Sequence, residues 1–523
     1  MGRRKKRSRN PTSGIKIKNT GYSEGGASHK KGSLSAWNPI RSSPASDIGA
    51  NLSALWGRSA DMAMNAPIAA GAIGTSRTNV IGAGLSLSAK IKYKTLGLTP
   101  EEAKAWNRHT MEEFDLWASS EFCDLYHKNS FYDLQDIAYV SYLTDGDCWT
   151  LLKYRAPTPN MPYHLRLQIL EATRVCNPTV DHFASISSPF AVNAVNPKNG
   201  NRIINGVEVD KDGAVLAVWI TNRVPYDPTE IARPLTWERV EIYGRRTGQP
   251  NVLQISHEQR PEQYRGVPYL APVIEILKQL TRYTEAELTT AIIKSFFTLF
   301  FTEGVTGGDI FTQMQNNSEE KERPNPYDYN LGPGNLNVLP SGWDVKSVDA
   351  SKNLSTFEPF TNQLIKQMGS AIGIPYEVLV KAFNSSYSAS RAALLQAWSE
   401  YKIRRTWFAR DFCQPIYEQW LTEAIALGRV KAPGFFDDLR IRRAWCNAEW
   451  YGPVMGVLDP VKEAQGAELR VKNGWSTNEK EAAEMTGTNY EDNLEILAQE
   501  KAQRAALGME GGEKDESVLA NQE

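Results

Sequence analysis

The stretch Arg260 to Phe301, RPEQYRGVPYLAPVIEILKQLTRYTEAELTTAIIKSFFTLFF, decides how the rest of the chain is read. It opens with breakers at Pro261, Gly266 and Pro268, and after Pro272 no further proline or glycine interrupts it. A proline in the first turn of a helix costs little, because its missing N–H would have no partner there. Leu270, Val273, Ile274, Leu277, Leu280, Leu288, Ile292, Phe296, Leu299 and Phe300 then recur at helical spacing. The pattern predicts one amphipathic rod from Pro268 to the end of the stretch, roughly 50 Å long at ~1.5 Å per residue. Few globular enzymes need such a rod.

Upstream, the residues from 45 to 260 read as an α+β unit. Leu52, Leu55 and Trp56 mark a helix that ends at Asn65-Ala66-Pro67, and a second helix is expected from Ile68 to Val80. Leu85, Leu87 and Ile91 alternate as a strand would. Thr99-Pro100-Glu101-Glu102 is a helix start with a cap, a first-turn proline and acids near the N-terminus. Another helix covers Tyr132 to Leu143. Asp145-Gly146-Asp147 is read as a turn before a strand at Trp149 to Tyr154, in preference to a DxD metal site. Further strands are predicted at His164 to Leu170, Val240 to Tyr243 and Val252 to Ser256. Ile203 to Val209 and Val215 to Ile220 read as a hairpin turned at Lys211-Asp212-Gly213.

Downstream, residues 303 to 342 are rich in Gly, Asn and Pro, with a short apolar strand at Leu336 to Leu339. A helix is expected from Leu354 to Ile372, interrupted by Gly373-Ile374-Pro375. A small, polar segment follows at 381 to 389, KAFNSSYSA. A long helix then runs from Ser390 to Leu427, with Pro415 as a possible break. Trp398, Trp407, Phe408, Phe412, Tyr417 and Trp420 on it read first as core or subunit packing. Arg404, Arg405 and Arg410 are expected to pair with acids such as Glu400, Asp411 or Glu418. Helices follow Asp459 and Thr477. The order of rod, insert, rod, polar loop and rod places residues 303 to 352 at the far end of a helical hairpin.

The chain has 523 residues, 59 basic against 60 acidic, which argues against a protein that simply coats nucleic acid. No run of 18 apolar residues exists, so no membrane contact is expected. Cys123, Cys148, Cys176, Cys413 and Cys446 are odd in number and scattered, and read as reduced thiols. Residues 1 to 31 carry ten Lys or Arg against one acid, Glu24. This arm is expected to be disordered, and either touches nucleic acid or an acidic partner or is a solvated tail. Residues 491 to 523 carry nine acids against three bases.

Enzymatic chemistry is not visible. There is no GxxxxGK[ST] phosphate loop, and His257-Glu258-Gln259 does not continue to HExxH. Six histidines leave little for metal or acid–base work. No catalytic, cofactor-binding or metal residues are assigned, and no cofactor is expected.

Four stretches together resemble the lambda-type portal family of tailed phages. The first is Arg260 to Val273, where Gly266-Val267-Pro268 and Leu270-Ala271-Pro272 carry the likeness. The second is the strand pair from Ile204 to Val218 around Gly206, Asp210 and Gly213. The third runs from Gly373-Ile374-Pro375-Tyr376 through Tyr387-Ser388-Ala389-Ser390-Arg391 to Pro415 and Trp420. The fourth is Asp459-Pro460-Val461-Lys462 with Asn473-Gly474 and Thr477. The similarity spans roughly residues 45 to 500, and order and spacing carry it more than any single motif. At the front, Arg58, Asn65-Ala66-Pro67 and Gly71-Ala72-Ile73 remain, but the other arginines of the family's first helix are Ser, Asp or Met here. Charge-based contacts through that helix are therefore not carried over.

The resemblance implies an α+β phage portal fold with an α/β wing, a long helical stem, a small α/β clip and a helical crown. It divides the chain into a basic arm (1–44), wing (45–265), stem helix (266–302) and clip (303–352). A returning stem helix (353–376), channel loop (377–389), wing helix region (390–455), crown (456–500) and acidic tail (501–523) follow. It implies a homododecameric ring at one capsid vertex, assembled in the bacterial host cytoplasm and carried in the virion. Double-stranded DNA would pass through the ring during packaging and ejection. The terminase large subunit, head-completion and tail connector proteins, and the major capsid and scaffold proteins would be its partners. The alternatives are a terminase-like DNA-processing enzyme, which lacks its motifs here, and a minor capsid or scaffold protein without a channel.

Two sets of residues follow. Lys381, Asn384, Ser385, Ser386, Tyr387 and Ser388 would line the channel loop, whose alternative is a plain connector. Each Lys or Arg that neutralises a phosphate adds binding energy, whereas DNA in transit must be held loosely. A loop of amides and hydroxyls with one lysine suits a weak, steric grip. Leu277, Leu280, Leu288, Ile292, Phe296 and Phe300 would pack the stem against neighbouring copies, with the phenylalanines near the clip.

Overall fold

A computed structural model describes residues 26–29, 31–179, 190–295, 299–302, 336–339, 354–383, 386–456, 460–488 and 490–507. The arm and tail therefore fall largely outside the described residues, and so does most of 303 to 352.

The first helices follow their local signals. Ser43 caps α1 (Pro44–Asp47), and a 3-10 turn leads to α2 (Leu52–Asn65). Ala66 is extended, and Pro67 opens α3 (Pro67–Val80), where its lack of an N–H does no harm. β1 (Ser86–Ala89) and α4 (Tyr93–Leu96) precede α5 (Pro100–Ala118). Thr99 closes a capping box on α5: Glu102 N donates to Thr99 Oγ1 and Thr99 N to Glu102 Oε2. Ser130 and Asp133 repeat the device at α6 (Phe131–Asp145).

Two antiparallel sheets follow. β2 (Asp147–Tyr154) lies between β3 (Leu165–Leu170) and β9 (Val252–Ser256). The second sheet runs in order through β4 (Asn193–Val195), β5 (Arg202–Ile204), β6 (Val207–Val209), β7 (Val215–Thr221) and β8 (Trp237–Glu241). The single strand expected over Ile203 to Val209 is two strands. Asn205 (φ 47°) and Gly206 (φ 89°) turn the chain between β5 and β6, the left-handed pair that a tight hairpin requires. A Cβ at Gly206 would also come within 2.6 Å of the Cys176 nitrogen.

α7 (Ile274–Ser295), β10 (Leu299–Thr302), β11 (Leu336–Leu339), α8 (Leu354–Ile372) and α9 (Tyr376–Leu379) form the helical hairpin. α10 (Tyr387–Phe408) continues through a π turn at Ala409–Cys413 into α11 (Gln414–Ala426). Pro415 does not end the helix: it sits in the first turn of α11, after the π turn. α12 (Leu439–Trp445) and β12 (Ala448–Tyr451) return to the body, where β12 pairs antiparallel with β1. That strand lies where only helix was expected. α13 (Pro460–Lys472), α14 (Asn478–Met485) and α15 (Tyr490–Ala506) close the described chain, and α15 runs six residues into the segment read as acidic tail.

The main core packs α5, α6 and β2–β3 against α10 and α11. Phe114 stands at its centre, edge-on to Phe131, Tyr417 and Trp420 at 5.1–5.7 Å. Full burial of such side chains stabilises by roughly 1.5–3 kcal/mol each. The arginines of α10 are structural. Arg404 pairs with Glu400 at 2.9 Å and lies over the Tyr269 ring; Arg410 pairs with Asp411. Arg405 pairs with no acid among the described residues but donates to the carbonyls of Asn79, Val80 and Pro453. All five cysteines are free and buried, and burial pushes their thiols up. Among the described residues, no helix is long and apolar enough to cross a membrane.

Candidate functional site: the helical hairpin, its anchor and its loop

The hairpin is anchored by one buried arginine. Arg265, just ahead of the rod, donates all five of its N–H groups. Nε and Nη2 grip Asp147 at 2.6 and 3.1 Å. Nη1 donates to the carbonyls of Val175 (2.7 Å) and Asn205 (2.6 Å), and Nη2 to that of Ala172 (2.8 Å). The guanidinium also faces the Trp56 and Trp149 rings at 5.1 and 5.8 Å. One side chain thus joins α2, the start of β2, the β5–β6 turn and the entry to the rod. Asp147 accepts in addition from Gly266 N. The backbones cross here so closely that a Cβ on Gly266 would lie 1.8 Å from the Gly146 oxygen. Asp145-Gly146-Asp147 is accordingly a left-handed helix C-cap (Gly146 φ 91°) followed by an ion-paired strand residue. Among the described residues no group of three or more His, Cys, Asp or Glu is placed to hold a metal ion.

Asp145 lies beside this pair. Burial, reinforced by the charges of Asp147 and Glu171, pushes its carboxyl up to about 7 from an ordinary 3.8. The folded state holds this proton more tightly than the unfolded chain does. Its contribution is therefore fully present below the ordinary value and is lost as pH rises through 7. Asp145→Asn should raise the melting temperature at pH 8, by a gain of at most about 4 kcal/mol, and leave it unchanged near pH 3. Melting curves at the two pH values check this; an equal shift at both would contradict it.

The rod itself is shorter than the sequence pattern predicts. A 3-10 turn at Ala271–Val273 leads into α7, whose 22 residues span about 33 Å. Leu299–Thr302 is not helix but β10, paired in parallel with β11, so that Phe300 faces Asn337 in register. Aromatic and β-branched residues fit a pleated strand as well as a helix, and here a partner strand is available. Phe300 is thus a strand residue, and Phe296 lies outside the described residues.

α7 and α8 run antiparallel. Tyr269 donates to the Ile372 carbonyl at the base, and Tyr283 meets Phe357 and Phe360 at 5.3 and 5.4 Å further out. Leu277 and Leu280 are buried, as are Ile365, Met368 and Ile372 of α8. Past Tyr283 the apolar face opens: Leu288 is 61% exposed and Ile292 46%. Thr281, Thr284, Thr289 and Thr290 each donate a hydroxyl to the carbonyl four residues back. Their hydroxyls are used within the helix, so these donors are not left unmet.

Gly373 (φ 75°) ends α8, and α9, with Pro375 as its N-cap, runs on to Leu379, into the segment read as loop. Lys381 (φ 54°) is exposed and left-handed, and Ala382 N donates to the Glu377 carbonyl. Asn384 and Ser385 lie outside the described residues. Ser386 and Ser388 are exposed, with their hydroxyls 3.3 Å apart. Ser386 is the N-cap of α10, so Tyr387 and Ser388 belong to its first turn and the loop is shorter than 377–389. Sequence reading had no signal for the Arg265 anchor beyond an unexplained Arg-Gly before the rod.

The family model for the phage portal protein, lambda family, matches residues 30–405. The chain belongs to that family. Curated relatives of this portal-family chain include portal protein B of Escherichia phage lambda, 24% identical over 507 residues, 94% of this chain and 91% of that one. The portal protein of Escherichia phage N15 is 24% identical over 508 residues, with the same coverage. Among solved structures, a chain in the neck of the native GTA particle computed with C12 symmetry resembles it at TM-score 0.38 and 11% identity, covering 83% of this chain and 92% of that one. The family match spans the Arg265 anchor, the helical hairpin and most of α10.

Proposed function

We propose that twelve copies of this chain form a ring at one capsid vertex, through which double-stranded DNA enters during packaging and leaves at ejection. Residues 45–265 and 390–455 form the wing, α7 and α8 the stem, 303–352 the clip, and α13 to α15 the crown. The terminase large subunit docks on the ring first; head-completion and tail connector proteins replace it, and capsid and scaffold proteins surround it. The chain works as a conduit, without catalytic activity of its own.

The observation that carries this reading is the apolar face of α7 beyond Tyr283, which one copy leaves exposed. Exposed Trp475, Leu469 and Leu497 give the crown helices similar apolar surface. A ring covers such faces with the next copy around the axis. ATPase and nuclease assays of the purified ring test the passive role: no turnover is expected, and activity lost on a point mutation would overturn it.

The loop between α9 and α10 borders the channel in this reading. Changing Asn384, Ser385 and Ser386 together to lysine would set rings of cation against the phosphates. DNA packaging in vitro should then slow severalfold or stall, more so at low salt, because each neutralised phosphate adds salt-dependent binding. Unimpaired packaging by intact variant rings would show that the loop does not meet DNA.

A further inference from the structure

Five ion pairs across the seam between the body and helices α13 to α15 share one electrical polarity, against one reverse contact, Lys480 of α14 near Glu449 of the body. Arg391 of α10 meets Glu463 at 3.4 Å, and Lys402 meets Glu484 at 3.5 Å. Lys90, just after β1, meets Glu479 at 2.9 Å while also pairing with Glu449 of β12. On α5, Lys104 meets Glu491 at 3.3 Å, and Arg108 pairs with Glu495. In each pair the body supplies the base and the C-terminal helices supply the acid. The cations share one face. Arg391 and Lys402 stand eleven residues apart on α10, close to three full turns. Ile91, next to Lys90, donates its N–H to Asn107 of α5, between Lys104 and Arg108.

Few buried residues back these pairs. Ala467 and Glu481 are the only buried residues of the three helices, among the described residues. A cavity of about 700 Å³ separates the two sides, its charged lining being Lys90, Lys402, Arg405 and Glu449 of the body and Glu479, Lys480 and Glu484 of α14. Packed apolar side chains would fill such a joint and hold it in any buffer. Partly exposed ion pairs around a void are weak and are screened by salt.

We propose that this body face is a binding surface for the phosphate backbone of duplex DNA, and that the acidic face of α13 to α15 covers it when no DNA is present. The carboxylates stand in for phosphates. A duplex carries one negative charge per about 1.7 Å of axis, denser than acids spaced along helices, and so competes for the same cations. The choice of DNA as the polyanion rests on the conduit reading; the covering of a cationic face by acidic helices does not.

The test uses the full-length chain. Glu463, Glu479, Glu484, Glu491 and Glu495 are all changed to Gln, and binding of a fluorescent blunt duplex is followed by anisotropy at several salt concentrations. Affinity at low salt should rise by about tenfold or more. The slope of log K against log salt should steepen by about 0.9 for each cation released to phosphate. Changing Lys90, Lys104, Arg108, Arg391 and Lys402 to Gln in that background should return both to wild-type values. Hydrogen exchange on the wild-type chain needs no variant: added duplex at low salt should deprotect α13 to α15 and leave the α11 core protected. Duplex affinity unchanged in the Gln variant although α13 to α15 are deprotected, or no deprotection of the wild type by saturating duplex, would overturn the proposal. Native mass of the same samples reports separately on whether rings form.

Discussion

Replacing Arg265 by methionine is expected to lower stability by about 3–5 kcal/mol, the largest single-residue effect in the molecule. The reason is not the loss of an attractive pair alone. Asp147 would remain as a buried charge without its partner, and the carbonyls of Val175, Asn205 and Ala172 would each lose the guanidinium donor, Ala172 keeping only the Val175 N–H. Asp147→Leu in the same chain removes the stranded charge, so the double variant should be more stable than Arg265→Met alone. Gly266→Ala should also be severe, because its methyl would overlap the Gly146 carbonyl, a backbone atom that cannot turn aside. Denaturant midpoints of the parent and these three variants decide the matter. An Arg265→Met chain within about 1 kcal/mol of the parent would mean that the anchor carries little.

Leu288→Asp combined with Ile292→Asp is expected to abolish ring assembly while leaving the single chain folded. Both positions are substantially exposed in one copy, so acidic substitution should move monomer stability by no more than about 0.5 kcal/mol each. In the proposed ring the same side chains would be buried at every interface, where full burial is worth roughly 1.5–3 kcal/mol per residue and a buried unpaired carboxylate is strongly unfavourable. Repetition around the axis multiplies the penalty. Sedimentation velocity should show a shift from large particles to monomer, with an unchanged circular dichroism spectrum. Rings that persist in the double variant would move the subunit interface away from α7.

How much of this was legible in the sequence depended on whether the deciding interaction was local. Thr99 and Glu102 sit three residues apart, and the start of α5 was read correctly from them. The beginning of the rod was placed too early, at Pro268: a 3-10 turn at Ala271–Val273 comes first and the α-helix starts at Ile274. Its end was misread too, because Leu299 and Phe300 suit a helix or a strand equally: the strand at Leu299–Thr302 forms through Leu336–Leu339, beyond any local window. The Asn205-Gly206 turn was a local signal that was passed over in favour of the Asp-Gly turn that follows. Asp147 and Arg265 are 118 residues apart, and nothing near either announces the other. The charged seam is more remote still, since Arg108 and Glu495 are 387 residues apart. Each partner alone reads as an ordinary solvated charge. β12 was missed for the same reason, its partner β1 lying hundreds of residues earlier in the chain.

The central claim is that this chain builds a channel by assembling around an axis. Cryo-electron microscopy of the purified full-length protein, with symmetry counted from end-on views, tests it most directly. The account predicts closed rings of twelve, α7 and α8 beside a central channel, and Leu288 and Ile292 covered by the neighbouring copy. A uniform population of monomers without rings, or closed particles in which α7 faces solvent along its whole length, would contradict it.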